Sequence, residues 1–377
     1  MMSDRTAAAQ AFGSRYTRLL VPRSWLLAWL LVVAVADPAR AQQPEATAPR
    51  AAVVFSGPAF GSRYTVRVVM AAGDEPANEK IRAAIAGQIA LADRLLSGWN
   101  PESEISRLNA HASSAPFPVS RETVEALELA RRASELSQGA FDATVLPLVE
   151  AWGFGPKGTK GSAPSEDELE ALRSRVGYRL LVLDAARATV AKARPDVACD
   201  FSAIGDGWSA DRIARAIVAL GHPDVLVDVG GEVAARGRRA DGGRWRVAVE
   251  WPDGAREHTL VLELADAGVA TSGDYRKVWT DAQGHRQSHI IDPRTGRPVT
   301  HDLASVTVVD ADGAWADALA TTLMVLGPDA GRALAARERL VARFVIRQPD
   351  GRFAEWSTPA FESVVAPQAS SGPSRRP

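Results

Sequence analysis

The segment RYTVRVVMAAGDEPANEKIRAAIAGQIALADRLLSGW, residues 63–99, contains two hydrophobic periods that decide the class of fold. Apolar and polar residues alternate over 63–70, which predicts a half-buried β-strand. Over 78–99 the apolar residues recur at helical spacing, which predicts an amphipathic helix. A strand that leads into a long helix indicates a mixed α and β architecture.

The rest of the chain continues this mixture. Ser120 is predicted to cap a second helix that Gly139 ends, and Ser165 with Glu168 forms a capping box at a third. The last helix is expected over about 314–326. The expected later strands are 179–183, 197–201, 225–229, 245–251, 259–264, 287–291, 303–309 and 341–347. Helices grouped early and strands grouped late predict an α+β fold rather than a regular βαβ repeat.

Composition and charge narrow the class of protein. The chain has 377 residues, of which 46% are hydrophobic and 24% charged, as in ordinary soluble globular proteins. Its formal net charge is -1 and the charged residues are dispersed, so no nucleic-acid partner is expected. The one cysteine, Cys199, cannot form an internal disulfide and is expected to be a small buried residue.

The N-terminal region has the pattern of an export signal. Arginines precede an apolar run over 25–36, and Ala39 with Ala41 gives the A-x-A arrangement of a cleavage site. The alternative is an uncleaved anchor, although the run is short for a membrane span. No cysteine follows the run, so no lipid anchor is expected. The sequence therefore predicts a soluble periplasmic protein.

The expected division of the chain has four parts. A signal peptide over 1–41 precedes a linker over 42–50. A single large domain over 51–362 follows, and 363–377 is expected to be a disordered tail.

The segment DFSAIGDGWSADRIARAI, residues 200–217, is a first candidate ligand site. A strand is expected to end at Asp200, followed by small residues and an amphipathic helix. Small residues let a backbone approach a ligand closely, and a helix start offers N–H groups to an anion. The alternative is a tight packing turn.

The segment DALATTLMVLG, residues 317–327, is a candidate metal site. Asp317 and Thr321 are four apart on an expected helix, so a carboxylate and a hydroxyl share one face. Two hard oxygen ligands suit Mg²⁺, which also binds phosphate oxygens. The alternative is a helix N-terminal charge above a buried threonine.

Three further segments carry weaker signals. VATSGDYRKVW, residues 269–279, places hydroxyl groups at an expected strand end, or forms a plain hairpin. GAFDATVLPLVEAWGFG, residues 139–155, has an unusual aromatic and glycine pattern around an apolar stretch. Trp99, in a Gly/Asn/Pro turn, could stack on a flat ring system or cover the core.

The segment HRQSHIIDPRTGRPV, residues 285–299, combines a histidine with a strong turn signal. Residues 288–291 are expected to form a strand that carries His289. Asp292 and Pro293 stop that strand, and a Thr-Gly turn follows. A plain hairpin would not need the histidine, so we expect His289 to face a site.

The set of these motifs resembles the ApbE family, the FAD:protein FMN transferases. The resemblance runs from about Phe60 to Gly327, and TSGDY, H-x-x-DP-x-TG-x-P and DALAT are its most specific elements. It implies an α+β, T-fold-like catalytic domain of mixed and antiparallel sheets with packed helices.

The resemblance also implies a reaction. Members bind FAD and Mg²⁺, split the pyrophosphate, attach FMN by a phosphoester bond to a threonine or serine of a partner protein, and release AMP. The usual acceptors are subunits of membrane redox complexes with a motif close to D-x-x-[ST]-G-A-[ST]. That motif is absent from this chain, so self-flavinylation is not expected.

Site residues follow from the resemblance by position. The metal would be held by the Asp317 and Thr321 side chains and the carbonyls of Ala203 and Ala320. The residues implied at the flavin site are Phe60, Trp99, Ala140, Phe141, Asp142, Asp200, Asp206 and Ile291. Three of them depart from the usual family residue: phenylalanine for methionine, tryptophan for tyrosine, and aspartate at 206 for lysine or glutamate.

His289 is expected to act as a general base, with a purely structural role as the alternative, and Asp317 is implied as the essential metal ligand. A histidine with an ordinary pKa of about 6.5 can accept the proton of the threonine or serine hydroxyl of the acceptor. Two alternatives remain open at this stage. One is an FAD pyrophosphatase that gives FMN and AMP, and the other is a non-catalytic flavin carrier. The retained Asp317 and Thr321 favour an enzyme over a carrier.

Overall fold

A computed structural model describes residues 50–71, 73–157, 163–254, 260–276, 278–280, 284 and 286–367. The expected signal peptide over 1–41 and the segment 42–49 lie outside these ranges. The strands within them are β1 Arg50–Ala59, β2 Ser62–Ala71, β3 Phe117–Pro118, β4 Leu181–Asp184, β5 Thr189–Lys192, β6 Val225–Val229, β7 Glu232–Arg236, β8 Trp245–Val249, β9 Leu260–Leu264, β10 Ala267–Gly273, β11 Val278–Thr280, β12 Arg286–Ser288, β13 Ile291–Asp292, β14 Arg297–Pro298, β15 Leu303–Asp310, β16 Val341–Arg347 and β17 Phe353–Ser357.

Helices cover much of the remaining chain. They are α1 Glu75–Leu96, α2 Glu104–Ala110, α3 Arg121–Leu136, α4 Leu146–Ala151, α5 Glu166–Arg173, α6 Gly205–Ala219, α7 Gly313–Arg337 and α8 Pro359–Glu362. Short 3₁₀ turns occur at Ala143–Val145 and Tyr178–Leu180. In the described part of the chain, no helix has both the length and the hydropathy that a membrane crossing requires.

An eight-stranded sheet in the order β1-β2-β6-β7-β10-β15-β16-β17 organises these elements. Every neighbouring pair in it is antiparallel. A three-stranded sheet, β3-β5-β4, and the pairs β8-β9, β11-β12 and β13-β14 lie beside it. All described residues belong to one compact unit. The predicted α+β class is therefore confirmed.

The two faces of the main sheet have different covers. Side chains alternate along a strand, so neighbouring residues face opposite sides. Val227 and Ala234 pack against Ile213 of α6 on one face. Leu226 and Val233 pack against the β8–β9 hairpin on the other. Helices α1, α6 and α7 lie on the first face, which the following sections call the helix face.

Helices α6 and α7 approach each other closely over β10. A Cβ atom at Gly207 would overlap the Gly313 carbonyl, and one at Gly268 would overlap the Gly313 backbone. Asp211 of α6 locks this contact by accepting the Gly313 N–H at 2.5 Å and an Arg236 N–H at 2.5 Å. Glycine is required here because no larger residue leaves room for the two backbones.

Local signals in the sequence predicted several elements correctly. The Ser120 hydroxyl accepts the Thr123 N–H at the start of α3, and both bonds of the Ser165–Glu168 capping box are present. The strand expected over 225–229 and the one over 341–347 have the observed bounds. These elements are fixed by neighbours along the chain, which is why sequence reasoning finds them.

The strand expected over 197–201 is absent. The Asn109 side chain accepts the Cys199 N–H at 2.7 Å and donates to its carbonyl at 2.8 Å. A side chain from α2 thus satisfies backbone groups that a strand partner would otherwise bind. Asp200 consequently follows a loop and not the end of a strand.

Two further elements differ from prediction. The helix expected to end near 326 continues as a second helical segment to Arg337, with a kink at Gly327 (φ 77°) ahead of Pro328. The strand expected over 287–291 is split into β12 and β13, so His289 lies between strands.

The ends of the domain also differ from the expected boundaries. Strand β1 begins at Arg50, which was assigned to the linker. At the other end Val365 forms a β-bridge with Leu262, and Ala366 N–H donates to the Val261 carbonyl at 2.8 Å. Ordered chain therefore continues beyond 362, and 368–377 lie outside the described residues.

The α6–α7 contact generates a stability prediction. Gly207→Ala should lower the free energy of unfolding by about 1–3 kcal/mol, because the new methyl group overlaps the α7 backbone. Gly205→Ala is the matched control, since a Cβ there meets no atom within 4 Å. Urea titration followed by circular dichroism measures both. Equal stabilities of the two variants would contradict the packing argument.

Candidate active site

The candidate site lies at one end of the main sheet, on its helix face. The β1–β2 turn at Phe60 and the β6–β7 turn at Gly230 meet there, since Gly230 N–H donates to the Arg63 carbonyl at 3.0 Å. The register of β7, β10 and β15 brings the end of β10, at Gly273, to the same edge. Turns and strand ends thus surround the start of α6 and the turn of α7 that carries Asp317 and Thr321.

Asp317 is the central side chain of this site. It lies on α7, is 6% exposed, and its Oδ2 atom accepts the Gly207 N–H at 3.1 Å. Thr321 follows one turn later, and its hydroxyl lies 3.1 Å from the Ser272 hydroxyl of β10. The predicted shared helix face is therefore present, and α6, α7 and β10 converge on it.

Asp206 and Glu232 add two carboxylates beside Asp317. Both flank Gly230, since a Cβ atom there would lie 2.7 Å from Asp206 Oδ2 and 3.4 Å from Glu232 Oε2. Burial, and then the charge of Asp206, raise the pKa of Glu232 to about 8. Burial, and then the charges of Glu232 and Asp206, raise the pKa of Asp317 well above its usual range. The positive charge of Arg276 acts in the opposite direction on Glu232, but burial and the neighbouring carboxylate outweigh it.

The donor set of this cluster fits a magnesium ion. Carboxylate and hydroxyl oxygens from Asp317 and Thr321 are hard ligands on one helix face. Among the described residues, no three His, Cys, Asp or Glu side chains converge as a complete metal cage. Mg²⁺ commonly uses one or two carboxylates and takes its other oxygens from water and substrate phosphate. A bound cation would also offset the repulsion between the carboxylates.

Ala203 and Ala320 were implied as carbonyl ligands. Ala320 is fully buried on α7, directly before Thr321. Ala203 precedes α6 and packs against the hydrophobic cluster to which Ala320 belongs. Both alanines therefore belong to one hydrophobic cluster, and their role as ligands stays a prediction.

Phe60 and Trp99 are the exposed aromatic residues of the predicted flavin site. Their side chains are 39% and 69% exposed, so neither mainly covers the core. Phe60 also has a φ of 49°, in the left-handed region that non-glycine residues rarely adopt. Strain of this kind is often found at ligand sites. Exposed rings leave a face free to stack on a planar group.

Ala140, Phe141 and Asp142 are buried instead. The Asp142 carboxylate accepts the Thr144 N–H at 2.8 Å, the Thr144 hydroxyl at 2.6 Å and the Tyr178 N–H at 2.6 Å. Burial raises the pKa of Asp142 despite these bonds. Its side chain therefore fixes the local backbone, and a ligand would meet this segment through backbone groups.

Asp200 and Ile291 lie on two other segments. Asp200 N–H donates to the Ala143 carbonyl at 2.7 Å, which joins the loop before α6 to the segment after Asp142. Ile291 is 6% exposed and packs with Leu148 and Trp152. The side chain of Ile291 is thus part of the core.

The Asp-Pro turn after His289 docks on the WGFG segment. Asp292 carbonyl accepts the Gly296 N–H at 2.8 Å, and the Gly296 carbonyl accepts the Trp152 indole N–H at 2.8 Å. Gly296 has a φ of 77°, which the turn requires. Two motifs that are far apart in sequence therefore form one structural unit.

His289 lies on the link between β12 and β13, beside this unit. Its ring is 6.3 Å from the Phe154 ring in an edge-to-face arrangement. Ser288 before it is buried, and Ile290 after it is 8% exposed. The neighbours anchor the chain on both sides, so the histidine is presented from a fixed backbone.

Asp274 connects the end of β10 to the β11–β12 hairpin. Arg286 donates to its carboxylate at 2.9 Å and to its carbonyl at 2.6 Å, and Arg347 donates at 3.2 and 3.3 Å. The guanidinium groups of both arginines therefore form hydrogen bonds with this buried carboxylate. The clamp holds the histidine-bearing segment against the strand that carries Ser272.

Sequence reasoning missed Glu232 as a site residue and did not single out Ser272. Glu232 occurs in VDVGGEV and Ser272 in TSGDY, both quoted as family elements. Their roles depend on which face of a strand they occupy and on what packs there. That information is tertiary and has no local signal.

Comparison with known proteins agrees with this geometry. The sequence model of the ApbE family matches residues 60–344. A Vibrio cholerae protein named FAD:protein FMN transferase is 35% identical over 345 residues, which cover 91% of this chain and 99% of that protein. The protein of the same name from Escherichia coli K12 is 34% identical over 86% of this chain and 92% of its own length.

Solved structures give the same result. The flavin transferase ApbE from Vibrio cholerae aligns with a TM-score of 0.77 at 36% identity, covering 84% of this chain and 100% of that one. The apo flavinyl transferase ApbE of Pseudomonas stutzeri aligns with a TM-score of 0.76 at 38% identity, covering 84% and 97%. Fold and site thus define a protein of the flavin-transferase class. The chain belongs to the ApbE family.

The buried carboxylates predict a pH-dependent stability. Because folding raises the pKa of Glu232, the folded protein holds a proton that the unfolded chain has released. Without a bound cation, stability should therefore be highest below pH 4.5 and fall as pH rises towards about 8. Glu232→Gln should flatten this decline.

Urea titrations in chelating buffer between pH 5 and 8 measure the decline. Glu128→Gln, at an exposed position, is the matched control and should keep the wild-type slope. Adding Mg²⁺ should restore stability at the upper pH. An unchanged slope in Glu232→Gln would show that Glu232 is not the group that titrates.

Proposed function

We propose that this protein is a Mg²⁺-dependent FAD:protein FMN transferase. It splits the FAD pyrophosphate, attaches FMN through a phosphoester bond to a threonine or serine of a partner redox protein, and releases AMP. The observation that carries the proposal is the buried carboxylate cluster around Asp317, together with a hydroxyl one helix turn away at Thr321. Such a cluster suits a metal that binds pyrophosphate oxygens.

The residues of this chain supply position and charge. Asp317 and Thr321 would hold the Mg²⁺, with Ala203 and Ala320 contributing carbonyl oxygens. The ion neutralises negative charge on the phosphate oxygens when bound, which is the main requirement of phosphoryl transfer. Gly207 N–H fixes the Asp317 carboxylate, and the exposed Phe60 and Trp99 rings offer stacking faces for the flavin nucleotide.

His289 is the proposed general base toward the acceptor hydroxyl. Other candidates near it are already occupied. Asp274 is bound by Arg286 and Arg347, and Asp292 accepts two Arg294 N–H groups. The place of His289 in the H-x-x-DP-x-TG-x-P element, and the need to activate a weak hydroxyl nucleophile, favour the imidazole as the proton acceptor.

The partner follows from the same reaction. It is proposed to be a subunit of a membrane redox complex, with a motif near D-x-x-[ST]-G-A-[ST]. The expected export signal supports a periplasmic location for the reaction. A flavin carrier would not need buried carboxylates at the phosphates, so Asp317 favours an enzyme. FAD hydrolysis to FMN and AMP remains the second candidate, because water can replace the acceptor at the same site.

Intact-mass analysis separates these activities. The protein is incubated with FAD, Mg²⁺ and an acceptor carrying the motif, and the acceptor should gain the mass of one FMN residue. Release of free FMN without a mass change in the acceptor would support the hydrolase. If FAD is not consumed, with or without the acceptor, the result would support a non-catalytic flavin carrier.

The hydroxyl of Thr321 generates a prediction about the metal. Thr321→Val should lower the transfer rate about 10–100-fold and raise the Mg²⁺ concentration needed for half-maximal rate, because one ligand is lost. Thr322→Val is the matched control, since the Thr322 hydroxyl only bonds to the Ala318 carbonyl of its own helix. Mg²⁺ titration of the transfer rate measures both variants. Equal Mg²⁺ requirements would contradict the ligand assignment.

His289→Asn tests the proposed base. FAD binding should be retained, while FMN transfer slows by about 10²–10⁴-fold. The pH–rate profile should lose its acid limb, because the neutral imidazole is the active form. His222→Asn is the control on the distant end of α6 and should leave the profile unchanged. A wild-type rate with an intact acid limb would make His289 structural.

A further inference from the structure

A cavity of about 680 Å³ lies on the face of the main sheet opposite the candidate active site. Strand alternation separates the two. Thr271 lines the cavity, while Ser272, the next residue, contacts Thr321 in the site. Val233 lines the cavity, while Glu232 before it faces the carboxylate cluster. The cavity therefore opens on the other face of the sheet from the site already described, and Arg276 at its rim is the lining residue whose charge also acts on Glu232.

The walls of this cavity are apolar in the interior and charged at the rim. Leu226, Val233 and Val269 of the sheet face Val247 and Val249 of the β8–β9 hairpin. The rim carries four arginines, Arg67, Arg239, Arg246 and Arg276. A volume in this range accommodates an organic molecule larger than a simple ion.

The acidic groups at the rim are already partnered. Asp241 accepts an Arg239 N–H at 2.8 Å, and Asp228 accepts the Gly231 N–H at 3.1 Å. Glu250 lies 3.7 Å from Arg276. The polar groups of the cavity lining that are not used in these contacts are therefore hydrogen-bond donors.

Those donors converge on the cavity. Of the three buried side-chain polar atoms without a hydrogen bond in the described ranges, two belong to lining residues, Arg239 Nε and Tyr275 Oη. Burial raises the pKa of Tyr275, so its hydroxyl keeps its proton. Arg276 is close to that hydroxyl without forming a hydrogen bond of normal geometry. Arg246 forms no ion pair or hydrogen bond with any described residue, and Arg67 forms neither within bonding distance, although its positive charge acts to lower the pKa of Asp228. Buried donors without acceptors are rare and call for a ligand.

We infer that this cavity binds an organic anion with an apolar body, whose carboxylate or phosphate head group is held by Arg67 and Arg246. Guanidinium groups match the planar and tetrahedral oxygens of such head groups. Tyr275 Oη and Arg239 Nε supply further donors, and the valine-lined interior takes the apolar body. The inference does not depend on the flavin chemistry proposed above.

Calorimetric titration of the full chain tests the chemistry of the ligand. The probes are 1-naphthyl phosphate, 1-naphthoate, 1-naphthol and inorganic phosphate, with saturating FAD and no Mg²⁺ so that the flavin site is filled. At least one naphthyl anion should bind with 1:1 stoichiometry and about tenfold more tightly than naphthol or inorganic phosphate. The stronger of the two anions identifies the head group. No binding, equal affinity for naphthol, or loss of binding when FAD is added would overturn the inference.

Variants test the location. Arg67→Gln/Arg246→Gln should weaken binding of the anion at least about tenfold, because two charged donors are lost. Arg121→Gln/Arg187→Gln removes the same charge at exposed positions outside the cavity and should keep wild-type affinity. Ala248→Trp, at an exposed position that lines the cavity, should block entry without disturbing the core. Wild-type affinity in the two cavity variants would place the anion elsewhere.

Discussion

The contact between α6 and α7 is the constraint on which the candidate site depends. Gly207 and Gly313 allow two helix backbones to touch, and Asp211 holds them together through the Gly313 N–H and Arg236. This contact places the Gly207 N–H against Asp317. The buried carboxylate of Asp211, between the two helices, thus helps to set the position of the Asp317 carboxylate in the site. Close packing leaves little freedom for either to move.

The same contact explains the electrostatics of the site. It forces Asp317 into an interior that also holds Glu232 and Asp206, with one backbone donor to relieve it. By position, the resemblance to the family implies lysine or glutamate at 206, and a lysine there would partly neutralise Glu232. Aspartate adds charge of the same sign instead. A bound cation, or added protons, would therefore stabilise this cluster.

The sequence predicted those features that depend on residues close together along the chain. Caps at Ser120 and Ser165, and the shared face of Asp317 and Thr321, follow from spacing along the chain. It failed at 197–201, where Asn109 of a distant helix replaces a strand partner. It also could not assign Glu232, whose role depends on what packs above one face of β7. Such long-range pairings leave no periodic trace in a single sequence.

Strands β7 and β10 divide the chemistry of the molecule between two faces. Each puts one residue into the candidate active site and the next into the cavity behind it, as Ser272 and Thr271 show. A shift of one residue in register would exchange these faces and empty both sites of their groups. The register is held by five-residue pairing of β6 with β7 and by the buried Asp274 clamp at the end of β10. The two faces are therefore maintained together, because the same backbone hydrogen bonds fix both.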